Sequence, residues 1–196
     1  MRSGRFTRVP ARVPDARLEI YGDGPERGKY ERLIDRLGVR ESVRLMGWTP
    51  APGAVLQRAA LSLLTSRGEG LGLAIIESLG RGCSVVSYDI LYGPSEMIAD
   101  GVNGLLVPSG DIAGLADAVV RLLTDRRMRE RFSDAAPQAA QGFTAQAYVA
   151  RWSALYNRLD AEGWGAAPAV SRDRRFAAVP QLAASGKDGL KNRAAP

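Results

Sequence analysis

Histidine is absent from all 196 residues, and cysteine occurs once, at Cys83. Without an imidazole there is no Ser-His-Asp or Cys-His nucleophile pair and no histidine-ligated metal. A single thiol excludes an internal disulfide framework and a multi-cysteine zinc site, so Cys83 reads as a small buried filler. Acid and base work therefore falls to carboxylates. No apolar run approaches the ~20 residues needed to cross a bilayer. The basic first residues are not followed by an apolar stretch and a small-residue cleavage site, which argues against a secretory signal. The expectation is a cytoplasmic protein, peripheral to the inner face of the membrane at most.

What is present is ordinary globular composition, 45% hydrophobic and 24% charged. The length suits one α/β domain and is short for two of full size facing each other. The net charge of +6 sits at the ends. Residues 1–17 hold five Arg against Asp15 and residues 161–196 hold six basic against three acidic side chains, while the centre is nearly neutral, with 16 basic against 17 acidic. A nucleic-acid module needs a basic face on the folded part; this charge distribution does not provide one, and no nucleic-acid partner is expected.

From Arg17 onward, short aliphatic runs alternate with amphipathic stretches, the rhythm of β-α units in a parallel sheet. Strands are predicted at Leu18 to Tyr21, Val43 to Met46, Leu61 to Thr65, Val85 to Tyr88 and Gly104 to Val107. Helices are predicted at Pro25 to Leu37, Ala51 to Ala59, Leu73 to Gly80, Ile112 to Leu123, Arg126 to Phe132 and Ala145 to Leu159, with Asp111 and Thr144 as N-caps. Residues 1–16 read as a helix remnant, with Phe6, Val9 and Val13 on one face, Pro10 interrupting it and Pro14 closing it. Residues 17–160 form a Rossmann-like domain, and the Ala, Gly, Pro and Ser-rich residues 161–196 read as a disordered tail.

The segment Ser66-Arg67-Gly68-Glu69-Gly70-Leu71-Gly72-Leu73-Ala74-Ile75-Ile76-Glu77 follows an aliphatic strand and opens a helix. Gly70 and Gly72 let a ligand approach the backbone, and the unpaired N–H groups at a helix start suit a diphosphate. Glu77 can accept two hydrogen bonds from a diol such as a ribose, and Glu69 can reach sugar hydroxyls at the reacting end. Gly22 and Gly24 invite comparison with the dinucleotide fingerprint, but Arg27 occupies its last glycine position, so a tight strand-to-helix turn is expected there.

The spacing Glu69-x7-Glu77 in a glycine-rich turn resembles the signature of family-four retaining glycosyltransferases. Leu18-Glu19-Ile20-Tyr21-Gly22-Asp23-Gly24-Pro25, Val43-Arg44-Leu45-Met46-Gly47-Trp48, Gly82-Cys83-Ser84-Val85-Val86 and Asp100-Gly101-Val102-Asn103-Gly104-Leu105-Leu106-Val107 agree with it in order and spacing. The resemblance implies the carboxy-terminal domain of a GT-B fold, an α/β Rossmann-like parallel sheet whose ligand lies at the carboxyl ends of its strands. It implies a UDP- or GDP-sugar donor, transfer with retention and no metal or other cofactor. Glu69 is then the catalytic carboxylate at the donor sugar and Glu77 the ribose ligand. The backbone of Gly70, Leu71, Gly72 and Leu73 holds sugar and phosphates, and Gly22 and Trp48 complete the donor site. For Trp48, stacking on the base and simple packing both remain open, as do pocket-lining and plain turn-and-helix roles for Tyr92 and Glu96.

The stretch around Ser87-Tyr88-Asp89-Ile90-Leu91-Tyr92-Gly93-Pro94-Ser95-Glu96 is most similar to members that glucosylate poly(glycerol phosphate), which implies a glycan or teichoic-type polymer acceptor. The family's first strand of this domain, with its Arg and Lys pair, is expected upstream of Met1, as is the amino-terminal domain. The alternative expectation is therefore a truncated, non-catalytic fragment or partner subunit that binds nucleotide-sugar without transferring it. Trp152 and Tyr156, four apart, read as a helix stripe against the core.

Overall fold

The computed structural model describes residues 8–162. Five strands run in the order β1 (Leu18–Tyr21), β2 (Val43–Gly47), β3 (Ser62–Leu64), β4 (Val85–Asp89) and β5 (Gly104–Pro108). The helices are α1 (Arg8–Arg12), α2 (Arg27–Leu37), α3 (Pro52–Arg58), α4 (Leu73–Gly80), α5 (Pro94–Met97), α6 (Ile112–Thr124), α7 (Arg126–Gln141) and α8 (Ala145–Glu162). The chain divides into two compact units, Met1–Trp152 and Ser153–Pro196. The described part of the second is the helical end of α8, through Glu162; the rest of the expected tail lies outside the described residues.

β4 is buried at every position but its last, as a parallel strand covered on both faces must be. Its adjacent residues serve two cores. Val86 and Tyr88 join Leu105, Val107, Val119, Leu122, Met128 and Phe132, whereas Val85 joins Ile75, Leu79, Met97, Ile98 and Ala136. The alternation follows from the two-residue side-chain period of a strand. Asp111 and Thr144 act as the caps the sequence predicts: Asp111 Oδ1 accepts the N–H groups of Ala113 at 3.1 Å and Gly114 at 2.9 Å, and Thr144 Oγ1 accepts that of Ala147 at 3.2 Å.

All strand pairs are parallel, as expected, but the five strands form two sheets, β1-β2 and β3-β4-β5. β1 and β3 each have one strand neighbour. The β1-α2-β2 unit also contributes nothing to the two main cores; its buried hydrophobic side chains are Ile34 and Val39, while Ile20 and Met46 stay more than 40% exposed. The outer edge of β5 is differently finished, because Asp100 Oδ1 accepts the Leu106 N–H at 2.9 Å.

Several helix boundaries moved, and α8 runs past Leu159 to Glu162. α2 begins at Arg27, with Pro25 left in the preceding turn. α7 runs beyond Phe132, through Pro137, to Gln141. The extension is held by packing: Ala136 is fully buried, and a β-carbon on Gly80 of α4 would touch the Ala140 methyl at 3.7 Å. α1 includes Pro10 within its first turn, where a missing N–H costs nothing. Val9 packs against the larger core, and Phe6 lies outside the described residues.

Candidate functional site

Loop 65–72 leaves the carboxyl end of β3 and enters α4. Gly72 is the N-cap of α4 with φ +70°, a left-handed conformation that side chains beyond glycine adopt at a cost. Ile75 and Ile76 donate to the Gly72 carbonyl at 2.9 and 3.4 Å, which closes the first turn. The N–H groups of residues 66–74 find no acceptor among the described residues. They form a run of free donors at the positive end of a helix dipole, a combination that attracts an anion.

Of the two sequence-predicted acids, Glu69 lies within this run and Glu77 three residues beyond its end. Glu69 is half-buried within the loop, and Glu77 is exposed on α4. Glu77 shares a helix face with Leu73, four residues earlier, the face that begins at the loop. Neither acid makes a hydrogen bond or ion pair among the described residues, so both are available to a ligand's hydroxyls. Gly70 and Leu71 are exposed, and Leu73 is 62% exposed. Two depressions, of about 510 and 280 Å³, lie elsewhere, lined by residues such as Arg129 and Asp134 in one and Asp117 and Arg121 in the other. Gly70, Leu71 and Leu73 meet solvent, while Gly72 is buried beneath them.

A second loop meets the first. The segment after β4 reaches Gly93, and a β-carbon on Gly93 would lie 3.5 Å from Glu69 Cβ and 3.9 Å from Met97 Cε. Glu96 is turned to its own helix start, accepting the Gly93 N–H at 3.4 Å. Tyr92 is 47% and Leu91 83% exposed on the same loop. Sequence reasoning left Gly93 and Met97 out of the site. Their signal was topological, since β3 and β4 are parallel neighbours and the loops at their carboxyl ends must adjoin.

Gly22 and Trp48 stand at the carboxyl ends of β1 and β2, where Gly22 donates to the Gly47 carbonyl at 2.8 Å and Trp48 is 74% exposed. No hydrogen bond or ion pair among the described residues joins them to loop 65–72. Beside Gly22, the Tyr21 hydroxyl donates to Glu19 at 2.7 Å, and this bond to an anion pushes its pKa up. Among the described residues no three His, Cys, Asp or Glu side chains cluster as a metal site, and no helix is long and apolar enough to cross a membrane.

A parallel α/β fold with an anion-seeking loop at its strand ends and two free acids defines a class, and comparison with known proteins identifies it. The profile of Glycosyl transferases group 1 matches residues 5–139, and the chain belongs to that family. It is 32% identical over 154 residues to a poly(glycerol-phosphate) alpha-glucosyltransferase of Bacillus subtilis (strain 168), covering 79% of this chain and 23% of that protein. It is 37% identical over 147 residues to an exopolysaccharide phosphotransferase of Streptomyces coelicolor, covering 74% and 16% respectively. The fold is that of GT-B glycosyltransferases. A crystal structure of an S. aureus TarM variant with fondaparinux, alpha-GlcNAc-glycerol and UDP superimposes with a TM-score of 0.72 at 29% identity, over 76% of this chain and 31% of that one. The chain thus spans about a quarter of the Bacillus protein's length.

Proposed function

We propose that this chain binds a nucleotide-diphospho-sugar as the donor half of a retaining glycosyltransferase. The observation that supports it most is the run of free N–H groups from 66 to 74, which contains the unpaired carboxylate of Glu69 and is followed by that of Glu77. In this reading the diphosphate lies on the N–H groups of Gly70, Leu71, Gly72 and Leu73. Glu77 accepts from the ribose diol and Glu69 from the donor sugar at the reacting end. As the glycosidic bond to the diphosphate breaks, the leaving charge is met by preorganised N–H dipoles, so the scheme calls on no metal. Trp48 and Gly22 receive the base side of the donor. UDP in the TarM structure supports a uridine nucleotide, and the name of the Bacillus relative supports a polyol-phosphate polymer or related glycan as acceptor.

The test is calorimetry with UDP and UDP-glucose. Glu69→Ala and Glu77→Ala are each expected to weaken UDP-glucose binding by about 1–3 kcal/mol, through ligand hydroxyls left unpaired. Against UDP alone, which lacks the sugar, Glu69→Ala is expected to be silent and Glu77→Ala to keep its effect. Unchanged affinity for UDP-glucose in both variants overturns the assignment.

A second reading is favoured by the divided sheet, in which β1 and β3 each have one strand neighbour. Here the chain holds the donor but transfer needs a further segment or partner chain. Donor hydrolysis by the purified chain, measured as free glucose released from UDP-glucose, separates the two, since a chain that binds UDP-glucose without turning it over follows the second.

A further inference from the structure

Loop 66–71 makes no hydrogen bond among the described residues, and three of its positions through Gly72 are glycine. Such a segment has a large conformational entropy to lose, and without hydrogen bonds its geometry is set by its anchored ends and by van der Waals contact. Two side chains face Gly72 from below, Met97 and Ile75, and the Ile75 Cδ1 methyl would lie 3.4 Å from a β-carbon there; Met97 is the one that also faces Gly93. Met97 is 4% exposed, in the core with Ile75, Leu79 and Val85. Its Cε methyl reaches up so that a β-carbon on Gly72 would lie 2.9 Å away and one on Gly93 3.9 Å away. The first distance is closer than a methyl tolerates. Gly72 and Met97 therefore fit each other as a hydrogen against a methyl, and Gly93 faces the same methyl and also Glu69, whose Cβ would lie 3.5 Å from a β-carbon on Gly93.

Resting on the donor-binding reading above, we propose that Met97 is a positioning residue, a post under the two loops that holds Gly72 and Glu69 in the geometry that receives the diphosphate and sugar. It touches no ligand. Its end-on contact fixes where α4 begins, and so where the free N–H groups point. A flexible, unbranched thioether suits a gap bounded by two glycines, because it fills irregular space without a branched carbon near either backbone. Truncation would leave a void that the loop is free to sample.

The experiment combines calorimetry with UDP and backbone ¹⁵N relaxation on the full chain. Met97→Ala is expected to weaken UDP binding about tenfold or more and to lower the order parameters of the Gly68, Gly70 and Gly72 amides, with those of β4 and β5 unchanged. Met97→Leu, close in volume but branched at Cγ and one atom shorter, is expected to restore both only in part. If Met97→Ala does not fold, Met97→Val, which deletes Sδ and Cε and adds a β-methyl, fills more of the core and permits the same readings. Equal order parameters in variant and wild type, or a loss spread evenly over β4 and β5, overturns the proposal. Failure of the wild type to bind UDP removes the donor reading alone, because the relaxation data still decide whether Met97 holds the loop.

Discussion

Glu69 and Gly93 are packed face to face across two loops, with 3.5 Å between Glu69 Cβ and the position a β-carbon on Gly93 would take. The pair ties the loop after β3 to the loop after β4, and so ties the proposed catalytic carboxylate to the start of α5.

Gly93 has φ +100° and ψ −76°, a conformation that residues with a β-carbon rarely adopt. Gly93→Ala is expected to cost about 1–3 kcal/mol of stability and, where the strained backbone relaxes by moving the loop that adjoins Glu69, to weaken UDP-glucose binding more than UDP binding. Denaturant unfolding and calorimetry on the same variant check both parts.

Gly104 opens β5 beside β4. A β-carbon there would lie 2.5 Å from the Val85 carbonyl oxygen and 2.9 Å from Ile98 Cγ2. Backbone cannot yield as a side-chain end can, so Gly104→Ala is expected to destabilise by about 3 kcal/mol or more. A urea titration followed by circular dichroism measures it.

Ser84 Oγ is fully buried with no hydrogen-bond partner among the described residues. Removing an orphaned hydroxyl relieves a desolvation cost, so Ser84→Ala is expected to match or exceed the wild type, by up to about 1 kcal/mol. A clear drop in melting temperature would show that the hydroxyl has a partner in solution.

Cys83 is buried, and burial pushes its thiol pKa up from the ordinary value of 9.0, with the Ser62 hydroxyl acting in the opposite sense. The folded state thus holds the proton more tightly than the unfolded chain. Stability from this group is complete below the unfolded pKa and is lost as pH rises toward the folded one. Relative to Cys83→Ala, the wild type is expected to lose stability as pH rises past the ordinary thiol value of 9.0, and native Cys83 should resist iodoacetamide until the protein is unfolded.

Much of this was legible in the order of residues. The aliphatic runs closed by Gly or Asp located all five strands to within a residue or so, because a buried parallel strand admits few other side chains. Gly70, Gly72 and the two acids marked the loop, since free N–H groups at a helix start follow from local geometry alone. The capping roles of Asp111 and Thr144 are equally local. By contrast, the persistence of α7 through Pro137 was decided by Ala136 and Ala140 finding the α4 side of the fold. The separation of β1-β2 from β3-β4-β5 depends on which strand edges meet, and the post formed by Met97 under Gly72 depends on a contact 25 residues distant in sequence. Local pattern sets what a segment can become; the register of parallel neighbours, a property of the whole sheet, sets what it touches.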